Sequence, residues 1–445
     1  MESLSPPGRD AAGLLASDLL DAWPVLSPEE RAEGFRLLAP GEADDLFGAL
    51  DARETSQLLL ALGRTERQLW VRQLAPDDAA DLVQAAPEAV RDDLLALLDD
   101  PTRKEVVALL AYAEDDAGGL MSPRYVRLRP EMRVDEAIAY LRRQARERVE
   151  TIYYIYVLDA QQRLLGVVSF RELFAAPAEK TVREVMRTDP VTVPEDLDQE
   201  SVSRLIAQHD LMAVPVLDAE GRMKGIITID DIVDVVEEEA TEDIQKLGGS
   251  AALDAPYLEV SLLEMVRKRG VWLSILFIGE LFTASAMGYY EEEIGRAIVL
   301  ALFIPLVISS GGNSGSQAST LVIRAIALGE VRLRDWWRVL RREVATGLAL
   351  GTLLGLLGLL RIFLWPARES LYGPHYALVA LSVGLALVGI VLWGAVAGSM
   401  LPFLLRRLGL DPATASAPFV ATLVDVTGLM IYFTVASTVL RGTLL

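Results

Sequence analysis

Five apolar stretches, near residues 270–289, 297–328, 344–364, 376–405 and 416–440, constrain this 445-residue chain more than any other feature. Each is long enough to cross roughly 30 Å of hydrocarbon, which predicts a membrane domain of five α-helices over residues 257–445. Five crossings put the two ends of that domain on opposite sides. One set of flanks carries Arg267, Lys268, Arg269, Arg324, Arg332, Arg334, Arg338, Arg341, Arg342, Arg406 and Arg407; the other carries only Arg296, Arg361, Arg368 and Arg441. Cytoplasmic loops hold the excess of Lys and Arg. The first set, and everything N-terminal to it, is therefore expected in the cytoplasm, with the C-terminus across the membrane. The segment "VRLRDWWRVLRRE" (331–343) reads as a basic amphipathic helix in the interface with a Trp anchor.

Charge divides the chain at the same place. From residue 266 onward 15 basic residues outnumber 10 acidic ones, a net of +5, so the part before it carries −26 and the whole −21. The hydrophobic content of 52% is an average over these two unlike parts, and the length exceeds a single core. Cysteine is absent and the only histidines are His209 and His375, which rules out disulfides and nearly excludes a zinc or copper site. Both histidines read as ordinary polar residues, too far apart for a Ser/His/Asp arrangement. No phosphate-binding G-x-x-x-x-G-K-[ST] occurs, because "GGNSGSQ" (311–317) lacks the lysine. Passive conduction is expected rather than a pump or an enzyme, with no nucleic-acid partner. The opening "MESLSPPGRDAAG" lacks the basic and apolar regions of a secretory signal, in keeping with a cytosolic acidic part.

Residues 1–118 read as an all-α bundle or short superhelix of helical hairpins. "LAPGEADDL" (38–46) and "LAPDDAADL" (74–82) nearly repeat, each with Pro at a helix entrance, acids in the first turn and then an apolar stripe. Any single acid here reads most simply as part of a solvated helical face. Residues 119–233 change to α/β character. "IYYIYVLDAQQRLLGVVSFREL" (152–173) and "LMAVPVLDAEGRMKGIITIDDI" (211–232) are two copies of a strand, turn, strand and helix opening. These copies resemble a tandem pair of CBS domains, which implies a regulatory module able to bind adenosine nucleotides such as ATP. The matching positions are Ser169, Arg171 and Glu172 of the first copy and Thr228 of the second, with Glu172 standing where an Asp is usual. "DDIVDVVEEEATEDIQKL" (230–247) continues as one acidic helix. Its like charges four residues apart need a cationic partner, protein or ion. This connecting helix and the turn-rich "GGSAALDAP" that follows make up the segment 234–256.

Two features of the membrane domain point to transport. The second stretch, "IPLVISSGGNSGSQASTLVIRA" (304–325), is overlong and reads as interrupted, with glycines loosening the helix and Asn313 and Gln317 bringing amides to membrane depth. Broken spans of this kind mark transport sites. Tight packing through small residues would explain the glycines but not the amides. The fifth stretch, "PFVATLVDVTGLMIYFTVA" (418–436), holds Asp425 at its centre, where a carboxylate costs about 2.5–3.5 kcal/mol. Glu280 is the other acid in a span, and no Lys or Arg lies centrally in any of them. A proton shared with Thr427 or Asn313 could neutralise Asp425; a permeating cation accounts for it better. Carboxylate, amide and backbone oxygens suit a hard cation. One carboxylate is too sparse for a Ca²⁺ cage yet suits Mg²⁺, which keeps several waters.

Taken together, "DDAGGLM" (115–121), "ETIYYIYV" (150–157), "EATEDIQKL" (239–247), "GGNSGSQ" (311–317), "LPFLLRRLGLDP" (401–412) and "ATLVDVTGL" (421–429) resemble the MgtE family of magnesium channels, over essentially the whole chain. The resemblance implies a multi-pass protein of the plasma or inner membrane, a homodimer in the lipid bilayer with its pore at the subunit interface. Asp425 would bind hydrated Mg²⁺ there, with Gly312, Asn313 and Ala421 completing the filter. It also implies a role in Mg²⁺ homeostasis through sensing, with Mg²⁺ ions bridging the cytosolic parts in a closed state. The matching acids are Asp45, Asp77 and Asp81; Asp198, Glu200 and Asp210; Asp231, Asp234, Glu239, Glu242 and Asp243; and Asp411. Competing readings are a broader or Na⁺-coupled divalent-cation transporter, and a CBS-based membrane sensor, which leaves Asp425 without a purpose.

Overall fold

The computed structural model describes residues 14–144, 151, 153–253, 255–258 and 260–444. The opening segment read for a leader, and Glu150 and Ile152 of the quoted motifs, lie outside the described residues. The chain forms two compact units, Met1–Glu237 and Glu238–Leu445.

The first unit begins with short helices whose boundaries follow from their capping. The near-repeats place Pro40 and Pro76 at the starts of helices Pro40–Ala49 and Pro76–Ala85, where the missing N–H has no intrahelical partner to lose. Each helix buries one stripe, Ala43, Leu46 and Phe47 in the first, and Ala79, Ala80, Leu82 and Val83 in the second. Asp51 caps the helix Ala52–Ala61 by accepting from the Glu54 N–H at 2.6 Å, a contact worth about 1 kcal/mol.

Two three-stranded sheets follow, each built the same way. Strands β1 (Arg127–Leu128), β2 (Tyr154–Leu158) and β3 (Leu164–Ser169) pair parallel then antiparallel. Strands β4 (Val193–Pro194), β5 (Ala213–Leu217) and β6 (Met223–Thr228) repeat that order. The register repeats as well: Tyr154 pairs with Ser169 and Ala213 with Thr228. The glycine of each copy is required by a crossing chain, since a Cβ on Gly166 would lie 2.4 Å from the Arg187 carbonyl and one on Gly225 2.7 Å from that of Ser122. The copies part after their last strand. The first continues into the short helix Phe170–Ala175, the second into the connecting helix Ile229–Leu247. The division between units falls inside that helix. Ile232 and Val235 are buried in the first unit, while Leu247 packs with Ile323, Ala413 and Ala415 in the second.

The second unit holds five helices long and apolar enough to cross a membrane: span 1 (Leu262–Tyr289), span 2 (Ile298–Ala327), span 3 (Leu333–Phe363), span 4 (Tyr376–Arg407) and span 5 (Ala417–Val439). Two expectations change here. Span 2 is not interrupted: Ile304–Ala327 is one α-helix running through Gly311, Gly312 and Gly315, and the irregularity is a 3₁₀ stretch before it, Ile298–Phe303. The glycines instead permit contact with span 4, because a Cβ on Gly398 would lie 2.1 Å from the Gly315 carbonyl and one on Gly394 2.3 Å from that of Gly311. Nor is 331–343 a separate interfacial helix. Its residues from Trp336 onward are the first turns of one helix that continues to Phe363, since nothing in "WWRVLRREVATG" breaks the helical repeat.

Candidate functional site

Span 2 and span 5 meet at a point lacking side-chain bulk. A Cβ on Gly312 would lie 3.5 Å from both Cα and Cβ of Ala421 and 3.9 Å from Oδ1 of Asp425. The helices are held in this register by serines whose hydroxyls are satisfied by backbone carbonyls. Ser316 donates to Ala417 O at 3.0 Å and Ser319 to Ala415 O at 2.7 Å, while Ser314 donates to Val391 O of span 4 at 3.2 Å. Gly312, Ala421 and Asp425, expected at one site, are therefore brought together. Asn313 projects from the exposed side of span 2, its amide 3.5 Å from the Ser309 hydroxyl. Ser309, Asn313, Gln317 and Thr320 form an exposed polar stripe along that helix.

Asp425 bonds neither of the neighbours considered for it. Thr427 donates to Leu423 O and accepts from the Trp393 indole at 2.7 Å. Span 1 supplies the group within hydrogen-bonding reach of Asp425, Glu280. The approach is allowed because Gly279 faces Thr422, whose Cγ2 would stand 2.6 Å from an added Cβ. Two carboxyl groups from apolar spans thus face each other with no basic partner among the described residues, an arrangement that favours a cation or a proton between them.

The cytosolic acids fall into separate groups. In the first unit Asp78 and Asp234 lie within each other's field, with Asp230 beside both and Asp51 beside Asp234. Desolvation, then the charges of Asp230 and Asp234, pushes the Asp78 carboxyl above its ordinary value. Desolvation, then Glu237, Asp230 and Asp51, does the same to Asp234. Asp51, Asp78 and Asp230 are not among the residues expected from sequence; they come from three separate elements, so no local spacing announces them. Of those that were expected, Asp77 is buried, and Asp45 and Asp81 are exposed on the same two helices.

Four others have local structural work. Asp198 caps its helix by accepting from the Ser201 N–H at 3.2 Å. Glu200 pairs with Arg204 at 2.8 Å. Asp210 ends that helix in the left-handed region at φ 51°. Asp231 accepts from the Thr228 hydroxyl at 2.8 Å.

In the second unit Lys246 reaches both Glu242 and Asp411, the latter at 2.7 Å. Burial opposes its charge, but hydrogen bonds to Asp411 and Glu242 prevail and raise its pKa. Burial and then the Asp411 charge push Asp243 up, with Glu239 adding to it. Lys246 was missed by sequence reasoning, although its spacing from Glu242 is the ordinary helical pair. Among the described residues no three Asp, Glu or His converge closely enough to hold a metal ion directly.

Between the two α/β modules lies a cavity of about 580 Å³ lined by Tyr153, Tyr154, Ser169, Arg171, Glu172, Arg187 and Met212, among others. Three of the four expected nucleotide-site residues thus line one cavity. Thr228, at the equivalent position of the second copy, is buried and does not line it. Glu172 is already engaged: it accepts from the Ser169 hydroxyl at 2.7 Å and from Arg187 Nε at 3.0 Å.

The divalent cation transporter family MgtE matches residues 304–435, the MgtE intracellular N domain matches 14–115, and CBS domains match 117–179 and 182–238. The chain is 42% identical over 428 residues to the magnesium transporter MgtE of Thermus thermophilus, covering 96% of this chain and 93% of that one. It is 34% identical over 338 residues to the magnesium transporter MgtE of Enterococcus faecalis, covering 76% and 72%. A crystal structure of the cytosolic domain of the Mg²⁺ channel MgtE in complex with ATP is 42% identical, covers 50% of this chain and 90% of that one, and superposes with a TM-score of 0.47. Inosine-5′-monophosphate dehydrogenase of Aquifex aeolicus matches over 30% of this chain at 28% identity.

Proposed function

Because the chain belongs to the MgtE family of magnesium transporters, we propose that it is a passive Mg²⁺-selective channel that cytosolic Mg²⁺ closes. Transport, not catalysis, is the family's activity. The observation that supports the channel reading is the meeting of Gly312, Ala421 and Asp425, two small residues and a carboxylate, at one point of the membrane unit. Small residues leave room for an ion that keeps its waters, and one carboxylate per chain supplies charge without stripping them. The exposed stripe of Ser309, Asn313 and Gln317, and a span 1 with no fully buried residue, favour a homodimer. In it a second copy supplies the facing Asp425 and the far wall of the pore.

Closure rests on the acidic groups. Asp51, Asp78, Asp230 and Asp234 repel one another until a cation sits among them, and Mg²⁺ held through its waters needs no ready-made cage of direct ligands. The connecting helix Ile229–Leu247 carries acids that belong to both units, so Mg²⁺ binding to it would bias the channel towards the closed state. A ligand shifts such an equilibrium only through its preference for one state. The cavity beside Arg171 and Arg187 suits ATP, with the arginines towards phosphates and Tyr153 and Tyr154 towards a base. Glu172 serves there as a brace for Arg187 rather than as a ribose ligand. The acidic part and the basic span ends face the cytoplasm and the C-terminus lies across the membrane.

Uptake of Mg²⁺ into liposomes holding the full chain tests this reading. Wild-type protein is expected to pass Mg²⁺ down its gradient without Na⁺, and Asp425→Ala to reduce that flux at least tenfold. Wild-type flux in the variant would refute the pore assignment, and a requirement for Na⁺ would refute passive conduction.

A further inference from the structure

We propose that the face of span 3 bearing Arg338, Arg341 and Arg342 is a binding site for the headgroup of an anionic phospholipid. These three arginines stand at i, i+3 and i+4 on one side of the helix and line a cavity of about 310 Å³. Their charge is barely used within the chain. Arg338 is 87% exposed and reaches Asp335 only at 3.4 Å. Arg341 and Arg342 have no hydrogen bond or ion pair among the described residues, and Arg342 has the adjacent Glu343 carboxylate within its field. Further positive charge lies at the same end of the bundle. Val339 shares an apolar cluster with Val322, Ile326, Met400 and Phe403, so Arg324 at the end of span 2 and Arg406 and Arg407 at the end of span 4 approach this level.

The rest of the helix indicates a lipid rather than a free anion. Opposite the arginines runs a glycine seam pressed on span 4: a Cβ on Gly351 would lie 2.8 Å from Val388 Cα, and one on Gly355 2.8 Å from Gly384 O. The arginine face itself continues at three- and four-residue steps through Ala345, Ala349, Leu353, Leu356 and Leu360. Those leucines are 54%, 53% and 52% exposed. Trp336 and Trp337, 48% and 53% exposed, open the same helix, as indoles do where a span enters the headgroup region. A phosphate clamp above an uncovered apolar stripe matches one molecule, a phospholipid with a net negative headgroup.

Native mass spectrometry of the full chain in neutral detergent tests this, with phosphatidylglycerol, phosphatidylcholine and inorganic phosphate as probes. Wild-type protein is expected to hold phosphatidylglycerol at least tenfold more tightly than phosphatidylcholine. Arg341→Gln with Arg342→Gln should weaken phosphatidylglycerol about 25-fold, at about 1 kcal/mol per removed charge. Arg341→Lys with Arg342→Lys should stay within a few-fold of wild type, which separates lost charge from lost fold. Equal affinity for the two lipids, or an unchanged Gln variant, would overturn the proposal. So would displacement of phosphatidylglycerol by millimolar inorganic phosphate. Because the chain has no cysteine, Ala345→Cys introduces a single one; its cross-linking between copies in vesicles would assign this face to a second copy and equally overturn the proposal.

Discussion

Asp425 and Asp234 are both aspartates without a basic partner among the described residues, yet their surroundings are opposites. Around Asp425 the chain removes bulk: Gly312 and Ala421 place only small groups beside the carboxylate, and the nearest charged group is a single second acid, Glu280. Around Asp234 the chain gathers like charges, from Asp51, Asp230 and Asp78. Under the proposed function, the first environment would let an ion enter and leave, and the second would repel itself until a cation binds. On that reading a carboxylate's role is set less by its own chemistry than by whether its neighbours are small or acidic.

The contrast can be broken most severely by restoring bulk. Gly398→Val would drive a side chain into the Gly315 carbonyl and is expected to destabilise the membrane unit by about 3 kcal/mol or more. Size-exclusion recovery from detergent would fall sharply, and recovery like wild type would contradict the close span 2–span 4 contact. Next in size is removal of like charge. Asp78→Asn with Asp234→Asn should raise protease protection in Mg²⁺-free buffer and shrink its Mg²⁺ dependence about fivefold, read as the digestion rate of residues 14–237. An unaltered Mg²⁺ response would mean these acids are only a solvated face.

A smaller effect is expected from pH. Asp78, Asp234 and Asp243 are raised in the folded chain above the ordinary aspartate value of 3.8. Between that value and the raised one the folded state binds more protons than the unfolded one, so its stability falls as pH rises through that interval. In Mg²⁺-free buffer the melting temperature should climb as pH is lowered from neutrality towards the ordinary aspartate value, and saturating Mg²⁺ should flatten the climb. A melting temperature that drops over that range would contradict the crowding of these acids. Smallest is Arg187→Ala, which removes a solvent-exposed arginine from its pair with Glu172, a kind of contact that adds little to stability. It should leave the melting temperature nearly unchanged while weakening ATP binding severalfold by calorimetry.

The same contrast decides what could be read in the sequence. Asp425 was legible because a charge inside an apolar run has no quiet explanation, and the two α/β copies because their motifs repeat. The glycines of span 2 misled: in water Gly311, Gly312 and Gly315 loosen a helix, but in a membrane unit they let helices touch, and the span stays whole. The arginines of 336–343 suggested a surface helix because charge marks an interface without saying where a helix stops. The meeting of Asp51, Asp78 and Asp234 was not legible at all, since a cap, a first-turn acid and a mid-helix acid converge only once three elements fold together. Thr228 was expected at a nucleotide site from the resemblance of its copy to a CBS domain; its hydroxyl donates to Asp231 at the start of the connecting helix.

The central claim is that conduction and control reside in separate carboxylates. It is tested most directly by measuring Mg²⁺ uptake into liposomes over a series of internal Mg²⁺ concentrations, for wild type, Asp425→Ala and Asp78→Asn/Asp234→Asn side by side. The expected result is that Asp425→Ala lowers flux at every internal concentration without moving the midpoint of inhibition. The double variant should conduct while its inhibition by internal Mg²⁺ is flattened. The opposite pattern, a shifted midpoint in Asp425→Ala or lost conduction with normal inhibition in the double variant, would contradict the account.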